Sequence, residues 1–342
     1  MITRENVSLL RYNTFGIDAK AARLVELQEE ADFRELTRSG ALADGRFFVL
    51  GGGSNVVFGH DYAGLVVHPV NKGIRLVGRR DGSCLVEAQA GERWDDFVRH
   101  CVGQGWHGLE NMAAIPGTVG AAPVQNVGAY GREAKDVIER VHLFDTATGE
   151  ERWMDNAECL FGYRWSVFKG ALRGRCLVDR VEFRLSERFH ADLGYKALAD
   201  ALAAAGIADP TAQQVADTVA AVRDAKLPNP AQIGSAGSFF KNPVVDADRY
   251  GVLKTHYPDL VAFALDDGRY KLAAGWMIER CGWKGKTLGR AGVYEKQALV
   301  LVNRGGCDGA DVRRLADAVI ADVEKQFGVR LDCEAIFVDN EF

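Results

Sequence analysis

Two oppositely charged side chains stand among apolar and aromatic residues, where an isolated charge is unfavourable. Arg164 lies in the segment F-G-Y-R-W-S-V-F-K, and Glu334 lies in L-D-C-E-A-I-F. A guanidinium in such surroundings needs an anionic partner, and a single carboxylate there is expected to be paired or to have a raised pKa. The partner of Arg164 is either a protein carboxylate or an anionic ligand, and the residues alone favour a structural ion pair. Glu334 is an indication of a functional site.

Ser238, in A-G-S-F-F-K-N-P, is the third polar candidate. No Gly-x-Ser-x-Gly motif surrounds it and no nearby histidine is implied, so the pattern does not indicate a nucleophile. A serine that follows a glycine is more often a turn residue or a helix cap.

A glycine-rich segment, called here the second glycine loop, runs from 115 to 131 and reads I-P-G-T-V-G-A-A-P-V-Q-N-V-G-A-Y-G. Its glycines and prolines exclude a continuous helix or strand, yet it carries no charged residue. Such a segment fits backbone amides that approach phosphate oxygens, with Gln125 and Asn126 as side-chain amides that read a heterocycle edge. A pair of tight buried turns explains the glycines equally well.

The first glycine loop, G-G-G-S-N at 51–55, follows a strand predicted at 46–50 and precedes the strand-like V-V-F at 56–58. Neither a helix nor Gly-Lys-Ser/Thr follows it, so it is neither the dinucleotide fingerprint of an open parallel sheet nor a P-loop. Two separate glycine loops indicate one extended ligand with a pyrophosphate in its middle. This points to a dinucleotide such as FAD, held outside the usual nucleotide fold.

Both loops resemble the flavin-binding segments of the UDP-N-acetylenolpyruvoylglucosamine reductase family, which carries out the second committed step of peptidoglycan precursor synthesis. Y-N-T-F-G (12–16), F-G-Y-R (161–164), K-L-P (226–228) and G-S-F-F-K-N-P (237–243) match it as well, in order, from about Tyr12 to Phe337. The resemblance implies an FAD-containing oxidoreductase with NADPH as co-substrate. The FAD is expected to be noncovalent, because neither loop contains a His or Cys that could tether it.

The resemblance also assigns residues to the cofactor. Those in the first glycine loop are Gly51, Gly52, Gly53, Ser54 and Asn55, and those in the second are Ile115, Pro116, Gly117, Thr118, Gly120, Ala121, Gln125, Asn126, Gly128, Ala129 and Tyr130.

The three polar candidates receive roles in the same way. The family reaction passes a hydride from NADPH to the flavin and, after NADP leaves, from the flavin to C3 of the enolpyruvyl ether in the same cleft. Arg164 matches the arginine that stabilises charge on the substrate carboxylate, with Glu334 as its acidic partner, and Ser238 matches the serine that protonates C2. A hydroxyl is a poor acid in water, so it can do this only to a strongly basic centre in a dry site.

Four further positions match contacts to the UDP-sugar. Tyr195 and Lys226 correspond to the diphosphate region, one as hydroxyl donor and one as cation. Asn242 and Gln297 correspond to amides that hydrogen-bond the nucleotide-sugar. Each of the four, taken alone, is typical of a surface or turn residue.

Two residues depart from the family pattern beside the candidate chemistry. Trp165 stands where an aspartate is expected after Arg164, and Cys333 stands where many relatives place a proline before Glu334. The first departure bears on what surrounds the arginine, and the second on the strand geometry around the glutamate.

Two other functions compete with this interpretation. A sugar or alcohol oxidase or dehydrogenase on the same flavin fold is the enzymatic alternative, although such enzymes often tether their flavin through His or Cys. A non-catalytic nucleotide-sugar or flavin-binding regulator is the other, and it would have no need for Arg164, Ser238 and Glu334 together.

Composition narrows the class of protein. The 342 residues are 47% hydrophobic and 26% charged, with a net charge of −5 and a pI near 5.9, which argues against nucleic acid or an acidic membrane as a partner. Seven cysteines without C-x-x-C spacing and seven scattered histidines indicate neither a disulfide framework nor a zinc site. No apolar run of 18 residues occurs, so we expect a cytoplasmic protein, and a monomer.

The elements that must position these residues predict an α+β protein of three parts. Helices are predicted over 29–39, 92–102, 211–226 and 310–327, with a capping box at Thr211 and Gln214, and a hairpin joins 141–144 to 152–154. We expect a two-part FAD-binding fold resembling vanillyl-alcohol oxidase relatives, made of 1–70 with 328–342 and of 71–222. A separate substrate domain is predicted at 223–327.

Overall fold

The computed structural model of the chain describes residues 1–340. Its first part contains β1 (Ile2–Ser8), β2 (Lys20–Leu27), α1 (Glu30–Arg38), β3 (Phe47–Val49), β4 (Val56–Phe58) and β5 (Tyr62–Pro69). Four strands form a sheet in the order β1-β2-β5-β3, in which β2, β5 and β3 are parallel and β1 is antiparallel to β2. The predicted helix over 29–39 and both strands beside the first glycine loop are confirmed.

The middle part is built on an antiparallel sheet. It contains β6 (Ile74–Arg80), β7 (Ser83–Gln89), α2 (Trp94–Gly103), α3 (Ala122–Gln125), β8 (Gly128–Ala129), β9 (Arg132–Glu133), β10 (Ile138–Asp145), β11 (Glu151–Asp155), β12 (Cys176–Ser186), α4 (Lys196–Ala204) and α5 (Ala212–Lys226). Five strands follow the order β11-β10-β12-β7-β6. The predicted hairpin is confirmed, with Val141 opposite Met154.

Alternation on β7 and helical spacing on α2 direct apolar side chains to a common core. Val86 and Ala88 on β7, and Trp94 and Phe97 on α2, are all fully buried. Burial of each of the larger side chains stabilises the fold by about 1.5–3 kcal/mol. This core supports the second glycine loop, since Gly120 on that loop lies against Ala90 at the end of β7.

Helix α5 begins and ends where the sequence predicts. The Thr211 hydroxyl accepts a hydrogen bond from the Gln214 N–H at 3.2 Å, and the Gln214 side chain accepts one from the Thr211 N–H at 2.9 Å. The helix ends at Lys226 because Leu227, which precedes Pro228, is extended, as the residue before a proline tends to be.

The last part contains β13 (Ser235–Ser238), β14 (Val244–Val245), α6 (Ala247–His256), β15 (Ala262–Ala264), β16 (Tyr270–Leu272), α7 (Ala274–Arg280), β17 (Thr287–Leu288), β18 (Ala291–Val293), β19 (Val300–Asn303), α8 (Gly309–Phe327) and β20 (Ile336–Val338). Two antiparallel sheets follow the orders β13-β19-β18-β17 and β14-β16-β15. The long helix predicted over 310–327 is confirmed, and it ends at Gly328 with a left-handed φ of 58°.

The chain then returns to the first glycine loop. Strand β20 pairs in parallel with β4, so that Ile336 lies opposite Val56. The sequence predicts strand from 329 to 338, but only the last three of these residues form one. Earlier residues bond instead to the segment after β13, where Cys333 forms an isolated bridge with Phe240. That detour bonds the Glu334 N–H to the carbonyl of Phe239, the residue after Ser238.

Two large cores organise the described residues. One unites apolar side chains from 9–66 with others from 236–338, and the second collects side chains from 84–219. The helices and sheets agree with the predicted α+β class. The division into 1–70 with 328–342, 71–222 and 223–327 stays a prediction, and positions 341 and 342 of it lie outside the described residues. None of the helices within 1–340 is long and apolar enough to cross a membrane.

Candidate functional site

The two glycine loops meet at backbone distance. A Cβ atom on Gly52 would lie 2.9 Å from the Cα of Gly117, closer than real Cβ contacts allow. On Gly53, which has a φ of 63°, a Cβ would overlap the carbonyl oxygen of Tyr12. The glycines therefore allow three segments of backbone to converge, which is a structural reason for them in addition to ligand approach.

The N–H groups of the first glycine loop are available to a ligand. Those of residues 51–55 donate to no acceptor within residues 1–340, and the same holds for Gly117 and Thr118 on the facing loop. Backbone N–H groups without protein partners form a concave site for phosphate oxygens. The residues present thus fit the pyrophosphate of the dinucleotide that the sequence predicts.

A tight turn presents Arg164 to the second glycine loop. The N–H groups of Gly162 and Trp165 donate to each other's carbonyl oxygens at 3.0 and 3.1 Å, and Arg164 between them has a left-handed φ of 53°. That conformation costs a non-glycine residue about 1–2 kcal/mol, and such strain is concentrated at functional sites. The Arg164 Nη2 donates to the Gly128 carbonyl at 2.9 Å.

Arg164 and Glu334, which are 170 positions apart, form an ion pair. The Arg164 Nε lies 2.7 Å from the Glu334 Oε1, with both side chains largely buried. Burial raises the pKa of Glu334, although the positive charges of Arg164, Lys169 and Lys241 act to lower it. The protein carboxylate that the sequence favours as the partner of Arg164 is therefore Glu334 itself.

Ser238 directly precedes Phe239, the residue whose backbone carbonyl binds Glu334. The Glu334 N–H donates to the carbonyl of Phe239 at 2.8 Å, and the Phe239 N–H donates to Leu299 at 2.7 Å. Ser238 ends β13 as an exposed residue, and its hydroxyl makes no hydrogen bond within residues 1–340. This exposed hydroxyl has no protein partner in the described part of the chain and belongs to the residue before Phe239, whose carbonyl binds the Glu334 N–H.

The two side-chain amides of the second glycine loop have different partners. Asn126 is fully buried, its amide donates to Glu133 at 3.0 Å and to the Gly162 carbonyl at 2.9 Å, and its oxygen accepts from the Lys135 N–H at 3.0 Å. Its side chain thus supports the loop and has no N–H left for a heterocycle, contrary to the prediction. Gln125 instead accepts from Lys169.

The tyrosine predicted to contact the diphosphate packs against the second glycine loop. Tyr195 is 45% exposed, and its ring lies edge-on to that of Tyr130, with 5.2 Å between centroids. Asn111 donates to the carbonyls of both Tyr130 and Asp192, at 2.9 Å each. The segment before Tyr195 is therefore hydrogen-bonded through Asn111 to the second glycine loop, while the Tyr195 ring stays accessible.

The two amides predicted for the nucleotide-sugar converge at the start of α7. The Asn242 Oδ1 accepts from the Ala274 N–H at 3.0 Å, and the Gln297 Oε1 lies 3.3 Å from where a Cβ on Gly275 would be. Each amide thus has its oxygen against protein. Lys226, at the end of α5, is exposed and has no ion-pair partner within residues 1–340.

Two cations that no sequence motif singles out, Arg223 and Lys169, face the second glycine loop. The Arg223 Nε donates to the Ala114 carbonyl at 3.2 Å, burial lowers the pKa of its guanidinium, and it has no carboxylate partner within 1–340. A partly buried cation without a counter-ion fits an anionic group of a cofactor. In the sequence, Arg223 stands one turn before K-L-P, and Lys169 stands at the end of F-G-Y-R-W-S-V-F-K. These positions are the features that could have indicated the two residues.

The two departures from the family pattern lie next to Arg164 and Glu334 in the chain. Trp165 is 46% exposed, and its ring lies over Gly170, where a Cβ would approach it to 2.8 Å. Cys333 bridges Phe240, and burial raises the pKa of its thiol to about 11, so it is an unreactive neighbour of Glu334.

Comparison with known proteins gives two successive family matches. Residues 21–155 match a family described as FAD binding domain, and residues 229–338 match UDP-N-acetylenolpyruvoylglucosamine reductase, C-terminal domain. The predicted fold class, a flavin-binding fold with a separate C-terminal α+β domain, is confirmed, and so is FAD as the cofactor.

Full-length relatives agree with these matches. UDP-N-acetylenolpyruvoylglucosamine reductase of Azoarcus sp. (strain BH72) is 52% identical over 330 residues, which cover 95% of each chain. That of Burkholderia mallei (strain NCTC 10229) is 50% identical over 331 residues, or 96% of this chain and 95% of its own. The crystal structure of the reductase from Thermus caldophilus shares the fold, with a TM-score of 0.70 over 99% of this chain and 100% of that one, at 23% identity.

Proposed function

Since the chain belongs to the UDP-N-acetylenolpyruvoylglucosamine reductase family, we propose that it uses NADPH to reduce the enolpyruvyl ether of UDP-N-acetylglucosamine to UDP-N-acetylmuramate. Family membership makes it an FAD-dependent oxidoreductase of peptidoglycan precursor synthesis that acts on a small-molecule UDP-sugar. The co-substrate, the roles of individual residues and the noncovalent state of the flavin are parts of the proposal. So are a monomeric state and a cytoplasmic location.

One observation carries the proposal. The ion pair of Arg164 and Glu334, at 2.7 Å, lies beside the second glycine loop, and the Glu334 backbone is bonded at 2.8 Å to Phe239, the residue after Ser238; this supports a common site for the three residues. A flavin-binding regulator has no need for this arrangement. An enzyme that adds a hydride and a proton across a double bond next to a carboxylate needs a cation and a proton donor in these places.

The cofactor is held by this chain's backbone and cations. The N–H groups of residues 51–55 would bind the pyrophosphate, and Arg223 and the Gln125 amide would hold the flavin. When bound, FAD would supply the redox chemistry, the transfer of a hydride from NADPH to C3 of the substrate.

The protein supplies charge and a proton for the remaining steps. Arg164 binds the substrate carboxylate and stabilises the negative charge that develops when C3 receives the hydride, and Glu334 holds its guanidinium in place. The Ser238 hydroxyl donates its proton to C2 and regains one from solvent, which completes the addition of hydride and proton to the double bond, with NADP⁺ as the oxidised product. Lys226, Tyr195, Asn242 and Gln297 hold the nucleotide-sugar.

The decisive experiment separates the two halves of this reaction. The purified yellow holoenzyme is mixed anaerobically with one equivalent of NADPH, and the flavin absorbance is followed. We expect bleaching, and then recovery of the colour when UDP-N-acetylglucosamine enolpyruvate is added. Bleaching without recovery, or recovery with a simple sugar or alcohol-derived carbonyl instead, would contradict the proposal.

A further inference from the structure

Lys169 joins the two segments that face the flavin. It ends the short 3₁₀ turn Val167–Lys169, and its ammonium donates to the Gln125 Oε1 at 2.7 Å and to the Arg164 backbone carbonyl at 3.3 Å. Gln125 belongs to the second glycine loop and Arg164 to the adjacent tight turn. A single side chain therefore fixes the position of the loop amide relative to the arginine.

The contact also fixes which way the Gln125 amide points. An ammonium has three donors and no acceptor, so it must face the amide oxygen. The Gln125 Nε2 then points away from Lys169, and it makes no hydrogen bond within residues 1–340. Because the second glycine loop lies against the cofactor, this NH₂ group is available to an acceptor on the bound ligand.

Lys169 does not belong to a structural ion pair within residues 1–340. Within residues 1–340 no carboxylate lies within 4 Å of its ammonium. The positive charges of Lys241, Arg164 and Arg173 repel it, and the Glu334 carboxylate attracts it. Burial, followed by Lys241, lowers the pKa of Lys169 to about 8. A lysine kept partly buried among cations is typical of a functional site.

We propose that Lys169 is a positioning residue for the cofactor. By binding the Gln125 oxygen, it directs the Gln125 NH₂ to the flavin. By binding the Arg164 carbonyl, it orders the tight turn that carries Arg164. The inference rests on the FAD binding of the proposed function and not on the identity of its substrate. The inference can therefore be wrong while the proposed function is right. It can also be tested if the substrate proves to be a different compound.

The first test measures how tightly the holoenzyme keeps FAD. Lys169→Met, which keeps the length of the side chain and removes its donors, is compared with Lys169→Arg, which keeps charge and donors. Lys20→Met, at an exposed position, is the control. FAD release on dilution is followed by flavin fluorescence. We expect the dissociation constant to rise about tenfold in Lys169→Met, with a shift of the flavin absorption bands, and to be restored largely by Lys169→Arg and unchanged in Lys20→Met.

The second test uses pH. A charged donor makes a hydrogen bond about twice as strong as a neutral one, so FAD should be held about fivefold less tightly at pH 9 than at pH 7, as Lys169 loses its proton. Lys169→Arg stays charged throughout this range, and its profile should be flat. An unchanged inflection in Lys169→Arg would assign the titration to another group and overturn the proposal.

A double-mutant cycle tests whether Lys169 acts through Gln125. If it does, Lys169→Met should weaken FAD binding no further in a Gln125→Ala background. Fully additive losses, or a Lys169→Met protein whose FAD affinity and spectrum are those of the wild type, would overturn the proposal. Should Lys169→Met not fold, Gln125→Ala alone decides: a flat pH profile supports the inference, and a wild-type inflection refutes it.

Discussion

The cofactor side and the substrate side of the site differ in how many of their polar side chains already have protein partners. On the cofactor side, Asn126 is fully buried with three hydrogen bonds and the glycine loops touch at backbone distance. On the substrate side, Tyr195 is 45% exposed and Ser238 and Lys226 lie without side-chain partners within residues 1–340. The bonded side chains fit a resident cofactor, whose site leaves chiefly the backbone N–H groups of residues 51–55 free, and the open ones fit a ligand that comes and goes.

Arg164 and Glu334 lie at the boundary between the two sides. Their ion pair joins the turn beside the second glycine loop to the chain segment that carries β20. The ion pair holds the guanidinium in one orientation, so the proposed binding of a substrate carboxylate would need little reorganisation at the moment of reaction. The four predictions below test this contrast between an ordered cofactor side and an open substrate side.

The largest effect is expected from Ser238, on the open side. Ser238→Ala should bind FAD and be bleached by NADPH at nearly the wild-type rate, because the hydroxyl has no part in that half-reaction. Reoxidation by the enolpyruvyl nucleotide should slow by about 10²–10⁴-fold, since a positioned proton donor is lost. Stopped-flow absorbance of each half-reaction measures this. Equal slowing of both would identify Ser238 as a structural residue instead.

A methyl group added to the first glycine loop, on the ordered cofactor side, should destabilise the fold. Gly53→Ala combines a left-handed φ with overlap of the Tyr12 carbonyl, so we expect a loss of about 2–4 kcal/mol in the free energy of unfolding and weaker FAD binding. Gly103→Ala is the matched control, because no atom lies within 4 Å of the added Cβ and φ is ordinary. Urea unfolding compares the two, and equal stabilities would remove the packing argument.

The ion pair between Arg164 and Glu334, at the boundary of the two sides, should be lost at acid pH. Burial raises the pKa of Glu334, so the carboxylate that orients Arg164 is lost as pH falls, starting above the ordinary carboxyl pKa of about 4.3. We expect reoxidation to slow on this acid limb, and Glu334→Gln to be about tenfold slower with the limb removed. A raised pKa makes the fold more stable as pH falls through it, so this group does not cause acid unfolding. A wild-type acid limb in Glu334→Gln would refute the assignment.

The smallest effect is expected where the side chain keeps its packing. Tyr195→Phe preserves the ring contact with Tyr130 and removes only the hydroxyl, so KM for the nucleotide should rise about five- to tenfold while bleaching by NADPH is unchanged. Steady-state kinetics with the enolpyruvyl nucleotide measures it. A fall in the rate of flavin reduction would place Tyr195 on the cofactor side.

The sequence alone was enough for most of the local structure and for the choice of candidate reacting groups, whose roles stay predictions. The capping box of α5, the helix that ends at Gly328 and the hairpin of β10 and β11 depend on neighbouring residues, and they were predicted correctly for that reason. Arg164 and Glu334 could be selected because a charge among apolar residues needs a partner wherever the chain places it. The glycine loops indicated a dinucleotide from composition and spacing.

Only the tertiary structure decided which of these groups meet. The ion pair between Arg164 and Glu334, the burial of Asn126 and the contact of Lys169 with Gln125 depend on segments between 7 and 170 positions apart, and no local pattern encodes their orientation. The predicted strand over 329–338 was too long for the same reason, since residues before Ile336 bond to the turn after β13 instead of to β4. Local propensities select elements, whereas side-chain partners and pKa shifts arise from burial, which exists only once the chain has packed.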